Sequence, residues 1–173
     1  MATGRRIAGL CLASRAVFAA VLLPWFVIGS LSKIGGSSLS LGPTVDGLPL
    51  SLGAFFAYVP GQVGDLSDGL PQFGAATLAY VGLMVAAELL LPILIVLGLW
   101  ARTAAFGLAL HQLVFLLTTE SAENPGAAFD ANPFDIMPNQ LLLWIMLLAP
   151  VGLFGAGPLS ADALAARWRG RRR

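Results

Sequence analysis

Glu88 is the residue of this chain whose type and position most demand a chemical explanation. It lies inside an apolar run, between Ala87 and Leu89, with no charged neighbour in sequence. A charged side chain at the centre of a bilayer-spanning helix costs at least ~2.5 kcal/mol on the most lenient scale. Glu88 must therefore face protein or water, be protonated, or be paired. Read as chemistry it is a proton, ion or substrate site; read as architecture it is a carboxylate that hydrogen-bonds helices together. His111, the only histidine, lies at comparable depth. At about 1.5 Å of rise per residue, it is roughly 13 Å and Glu88 roughly 17 Å from the tight link joining their helices. The two are expected to meet, and a carboxylate–imidazole pair can relay a proton. A lone buried histidine is otherwise a helix–helix hydrogen-bonding residue. Arg15 is the third candidate. Its long stem reaches either into the interior, where it would join Glu88 and His111 in lining a cavity, or out to headgroup phosphates. Lys33 is expected to anchor at the outer interface. Gln112 and Gln140 would add interhelical hydrogen bonds of about 1 kcal/mol each.

Several chemistries are excluded. Cys11 is the only cysteine, so there is no disulfide framework, C-x-x-C pair or thiolate cluster. With a single histidine, this chain alone builds no multi-histidine metal or haem site. It carries no phosphate-binding loop, no nucleic-acid-binding stripe and no serine-hydrolase constellation.

The elements that must position these residues are membrane helices. Of 173 residues, 57% are hydrophobic and only 11% charged, with a mean hydropathy of +0.82. A soluble domain carries about 25% charged residues. Four runs approach the ~20 apolar residues needed to cross ~30 Å of hydrocarbon: about 12–31, 75–99, 103–119 and 139–154. None alternates with period two, which argues against a β-barrel. The expected fold is an all-α, integral membrane four-helix bundle. Arg15 interrupts the first run and no small-x-small cleavage site precedes Lys33, so this run is read as a retained helix and not a signal peptide.

Charge orients the bundle. All nine arginines fall on one side of a four-span arrangement: Arg5, Arg6, Arg15, Arg102, Arg167, Arg169, Arg171, Arg172 and Arg173. The other side receives Asp46, Asp65, Asp68, Glu120, Glu123, Asp130 and Asp135, with Lys33 as its only basic residue. The positive-inside rule then places both termini in the cytoplasm. The first outer loop, Ser32 to Phe73, is long and rich in Gly and Pro; within it SLGAFFAYV (Ser51–Val59) is apolar enough to lie at the interface or cap the bundle. The second outer loop, Glu120 to Pro138, is acidic. Residues 160–173 form a basic tail in which Ser160 would cap a short surface-lying helix bearing Leu164 and Trp168. Gly82, Ala86, Ala101, Ala105 and Ala109 recur at a spacing that permits close helix approach. Pro92 and Pro150 would kink their helices. Trp25, Trp100 and Tyr58 suit interfacial or cavity-lining positions. Arginines opening helices one and three, and Pro-to-Gly segments in helices two and four, hint at an internal two-plus-two duplication.

In order and spacing the chain resembles the DoxX family of small four-helix bacterial membrane proteins. The resemblance is carried by Arg15, the G-x-x-x-K of Gly29 to Lys33, Glu88, the L-G-x-x-x-R-x-A-A of Leu97 to Ala105, and the G-x-G-x-L-S-x-D of Gly155 to Asp162. It covers nearly the whole chain, which departs from the family in its long first outer loop. The family takes its name from a relative of a membrane subunit of thiosulfate:quinone oxidoreductase, and some members tether soluble thiol- or superoxide-handling enzymes. The resemblance implies a bacterial inner-membrane protein and a partner oxidoreductase. Two readings follow. In the first the chain is the membrane subunit or anchor of a redox-linked, quinone- or thiol-related complex, with Glu88, His111 and Arg15 lining a cavity for a quinone or another small apolar molecule. In the second it is a non-enzymatic scaffold or small-solute carrier. Both expect the lipid bilayer as a partner, allow a homo-oligomer, and involve no nucleic acid.

Overall fold

Each apolar run becomes part of a long helical rod, but the rods begin and end where local chemistry dictates and not where hydropathy fades. The computed structural model describes residues 2–45, 48–64, 66, 69–118 and 136–170. Asp46, Asp65, Asp68, the acidic loop from Glu120 to Asp135, and Arg171 to Arg173 lie outside the described residues. Among the described residues every named element is a helix.

The first rod is a continuous run of α1 (Ala2–Val17), one wide π turn (Phe18–Leu22) and α2 (Leu23–Lys33). Pro24 accounts for the wide turn. It has no N–H to offer the carbonyl four residues earlier, and its ring crowds that carbonyl, so the ladder shifts register. The helix starts at Ala2 and not near residue 12, because nothing in the arginine-bearing first turns stops it; hydropathy marked only its apolar part. α3 (Leu52–Tyr58) is a short helix in the first loop. α4 (Ala75–Leu97), α5 (Ala101–Thr118) and α6 (Ile136–Phe154) are the remaining rods, and α7 (Ala161–Gly170) closes the described chain. Ser160 Oγ accepts from the Ala163 N–H at 3.2 Å and so caps α7.

The rods pack in a ring: α4 on α5, α5 on α6, α6 on α1, and α2 back on α4. Two apolar cores fill it. One gathers Phe18, Leu22, Phe26, Ile95, Leu108, Leu148 and Val151. The other gathers Val45, Leu50, Leu52, Phe55, Val81 and Val85 under α3 and the first loop. Of the small residues, Ala101 and Ala105 are buried as close packing requires, whereas Ala86 faces outward. The outer surface is apolar in helical register. Val17, Val21, Trp25 and Ile28 form one exposed stripe, and Phe106, Leu110, Leu113 and Leu117 another. A water-soluble bundle turns such stripes inward; these face lipid. Three helical runs, Arg6–Lys33, Ala75–Leu97 and Ala101–Thr118, are long and apolar enough to cross a membrane, and the apolar stretch Gln140–Phe154 is shorter. The chain is thus helical and built as a multi-pass membrane protein.

One end of the ring is held by the segments that the sequence marks with glycines. α4 stops because Gly98 takes a left-handed φ of 69°, with Leu99 N–H donating back to Leu94 O at 3.0 Å. Asp162, in the first turn of α7, then accepts from the N–H groups of Trp100 (3.1 Å) and Ala101 (3.4 Å), at the start of α5. Its own N–H donates to Gly98 O at 3.1 Å. A Cβ on Gly98 would stand 2.5 Å from Ser160 Cβ. Gly98→Ala therefore combines backbone strain with a clash and should cost more than ~1 kcal/mol, read as a lowered unfolding temperature in detergent. An unchanged midpoint would show that this junction is looser than described.

Candidate functional site

Between the two cores, four polar side chains from four helices meet. Lys33, at the last turn of α2, places Nζ 2.8 Å from both carboxylate oxygens of Glu88 in α4. The ammonium also donates to Gly29 O at 3.2 Å and lies 5.5 Å from the centroid of the Tyr58 ring. Tyr58, at the end of α3, donates its hydroxyl proton to Glu88 Oε2 at 2.6 Å. The same hydroxyl is 3.3 Å from His111 Nε2 on α5, and that nitrogen is 3.2 Å from Met84 O. A carbonyl only accepts, so Nε2 carries the hydrogen. In the neutral ring this leaves Nδ1 a bare acceptor, buried and without a partner.

Local sequence explains each placement. Gly29 and Lys33 are one turn apart on the same face of α2. Because Gly29 has no side chain, Glu88 Oε1 can settle 3.0 Å from where a Cβ would be. Tyr58 is held by the long first loop, which doubles back to cap α2: Leu41 N–H donates to Ser32 O at 2.8 Å and Ser51 N–H to Lys33 O at 2.9 Å. These are end-of-helix carbonyls that would otherwise be unpaired. Ser51 then leads into α3, whose Leu52, Phe55 and Tyr58 point inward. Burial, and next the charge of Glu88, hold the Tyr58 phenol well above its ordinary range, so it stays a hydrogen-bond donor.

The polar cluster borders a cavity of about 130 Å³ whose other walls are aromatic, with Trp25, Phe26, Phe115 and Trp144 among them. Gln112, also buried, lines it. At about 30 Å³ per water, it holds roughly four waters or the end of one small ring. It is too small for a whole drug-sized ligand.

Three expectations are corrected here. Lys33 is not an interfacial anchor; it is the counter-charge of Glu88. Glu88 and His111 do not touch in the way their depths suggested, because Tyr58 stands between them. Arg15 is not at this site. Its guanidinium donates to Ile95 O (3.1 Å), Val96 O (2.6 Å), Ala156 O (2.7 Å) and Leu159 O (2.8 Å). Those carbonyls end α4 and follow α6, so Arg15 ties helix termini together, with its charge placed where helix dipoles favour it. It is buried, which leaves no room for snorkelling. Gln140 is half-buried on α6. Among the described residues no group of three His, Cys, Asp or Glu side chains could hold a metal ion.

Compared with models of known protein families, with curated proteins and with solved structures, the chain matches none.

Proposed function

We propose that this chain is the membrane subunit of a redox-linked complex in a bacterial inner membrane, crossing four times with both ends cytoplasmic. The DoxX-like order of its motifs and the one-sided distribution of its arginines support this reading. The observation that carries it is the chain of hydrogen-bonding groups from Lys33 through Glu88 and Tyr58 to His111, ending in an unpartnered buried nitrogen beside an aromatic cavity. The reduced, quinol form of a quinone fits this set: aromatic walls for one end of its ring, a hydroxyl that donates to the bare His111 Nδ1, and Gln112 close to its oxygens. When bound, it supplies a carrier of two electrons and two protons, the electrons exchanging with the partner oxidoreductase.

The chain's own residues handle the proton. His111 accepts it at Nδ1 and releases another from Nε2 to the Tyr58 oxygen. The Tyr58 proton moves in turn to Glu88 Oε2. Lys33 holds the carboxylate in place and balances its charge in both directions. Nothing in this sequence requires Arg15.

Tyr58→Phe tests the relay, because it removes one hydroxyl and leaves the ion pair and the ring. The loss of one hydrogen bond to a carboxylate costs about 1.5–3 kcal/mol, so the variant should still fold. Quinone turnover by the complex purified with its partner should fall about 100-fold or more, the usual scale of a lost proton-transfer group. Unchanged turnover would remove the relay. Mild detergent extraction that yields neither a bound quinone nor a stoichiometric oxidoreductase would turn the reading toward a scaffold or small-solute carrier.

A further inference from the structure

The π turn at Phe18–Leu22 and Pro24 just beyond it divide the first rod into two halves with different neighbours. α1 packs along α6, while α2 packs on α4 and α3. Where α2 passes α6 the two are bridged by rings: Trp25 lies edge-on to Trp144 at 5.8 Å, and Phe26 at 5.7 Å. These three rings are also walls of the cavity. Trp25 is 52% exposed, in the lipid-facing stripe with Val21 and Ile28. One side of the ring cluster therefore faces lipid and the other faces the polar chain. Trp25 is eight residues before Lys33 in a continuous helix, so it lies about 12 Å further along the rod. The other approach, past α3, is filled by buried Leu52, Phe55 and Tyr58.

From this arrangement we infer that the cavity is reached sideways from the hydrocarbon layer, between α2 and α6, by rotation of Trp144 and Trp25. Its ligand is a membrane-dissolved ring compound that presents an oxygen to the polar end and leaves its apolar tail in lipid. The inference deepens the quinone reading and rests on it for the identity of the ring. Side chains alone form the door, so opening needs rotamer changes and no helix movement. A cavity with room for one ring end suits a ligand whose remainder stays outside.

The test uses the full chain with Trp25→Phe, which keeps an aromatic ring on that side of the door, and with Trp100→Phe and Trp168→Phe, so that Trp144 is the only tryptophan left of four. Parent chain and variant must bind a tailed quinone equally. It is placed in phosphatidylcholine nanodiscs. Lipids brominated on their acyl chains should remove most of the Trp144 emission although that ring is half-buried. A decyl-tailed benzoquinone should quench it saturably, and a sulfonated benzoquinone confined to water should not. Adding Gly29→Leu, which fills the space beside Glu88, should abolish the saturable phase and spare quenching by brominated lipid. If that variant fails to fold, competition between the tailed quinone and its own quinol replaces it. Saturable quenching by the sulfonated compound, with Trp144 blind to brominated lipid, overturns lateral access and leaves the quinone reading intact. Quenching by brominated lipid with no saturable response to either quinone upholds the sideways opening and overturns the quinone.

Discussion

Lys33→Met and Glu88→Gln each lower the unfolding free energy by about 3–5 kcal/mol, and the two together cost less than either sum would predict. The reason is the burial of the pair: the side chains of Lys33 and Glu88 are only 14% and 9% exposed. Removing one partner strands the other charge where water cannot compensate it, whereas removing both leaves two neutral side chains of similar length. A surface pair would contribute no more than ~1 kcal/mol and show little coupling. Glu88→Gln is therefore a poor test of chemistry alone, since loss of turnover and loss of fold arrive together. The measurement is chemical or thermal unfolding of the two single variants and the double variant in one detergent. Strict additivity of the three values would mean that the pair is not coupled in the folded protein.

Arg15→Met should destabilise the bundle by about 3 kcal/mol or more, because each buried carbonyl left unpaired costs about 1–3 kcal/mol. Four carbonyls from two chain segments depend on this one guanidinium. Arg15→Lys should recover only a part, since one ammonium cannot reproduce a planar fork of five donors. The same unfolding measurement decides it. A lysine variant as stable as the parent would show that charge, and not the fork, is what this end of the bundle needs.

The sequence made the rods legible because a spanning helix must be apolar over its length. It made their ends less so, since where α4 stops and α5 starts is set by Gly98 and Asp162 and not by hydropathy. Glu88 and His111 were recognisable as site residues by being polar where polarity is costly. Lys33 was misread because its place at the end of an apolar run has an ordinary explanation. Yet its pairing was legible in charge alone: it is the only basic residue between Arg15 and Arg102, and Glu88 needed a cation. Gly29, one turn away, supplied the space. Tyr58 was harder. It sits in a loop helix, and only the backbone hydrogen bonds that fold residues 34–51 onto α2 bring it inward. Arg15 stays open between the interior and the headgroups in the sequence, because the reach of its stem does not say which side of the helix it faces or which carbonyls wait there.

The four carbonyls held by Arg15 also constrain when this protein can finish folding. Leu159 follows Arg15 by 144 residues, and at about 5–20 residues per second its synthesis lags by roughly 7–30 s. Ile95 and Val96 follow Arg15 by only 80 and 81 residues, so the guanidinium gains its first two acceptors well before the other two. The segment after α6 then completes the set with Ala156 O and Leu159 O, so the ring closes only when the last rod and the turn beyond it are in place.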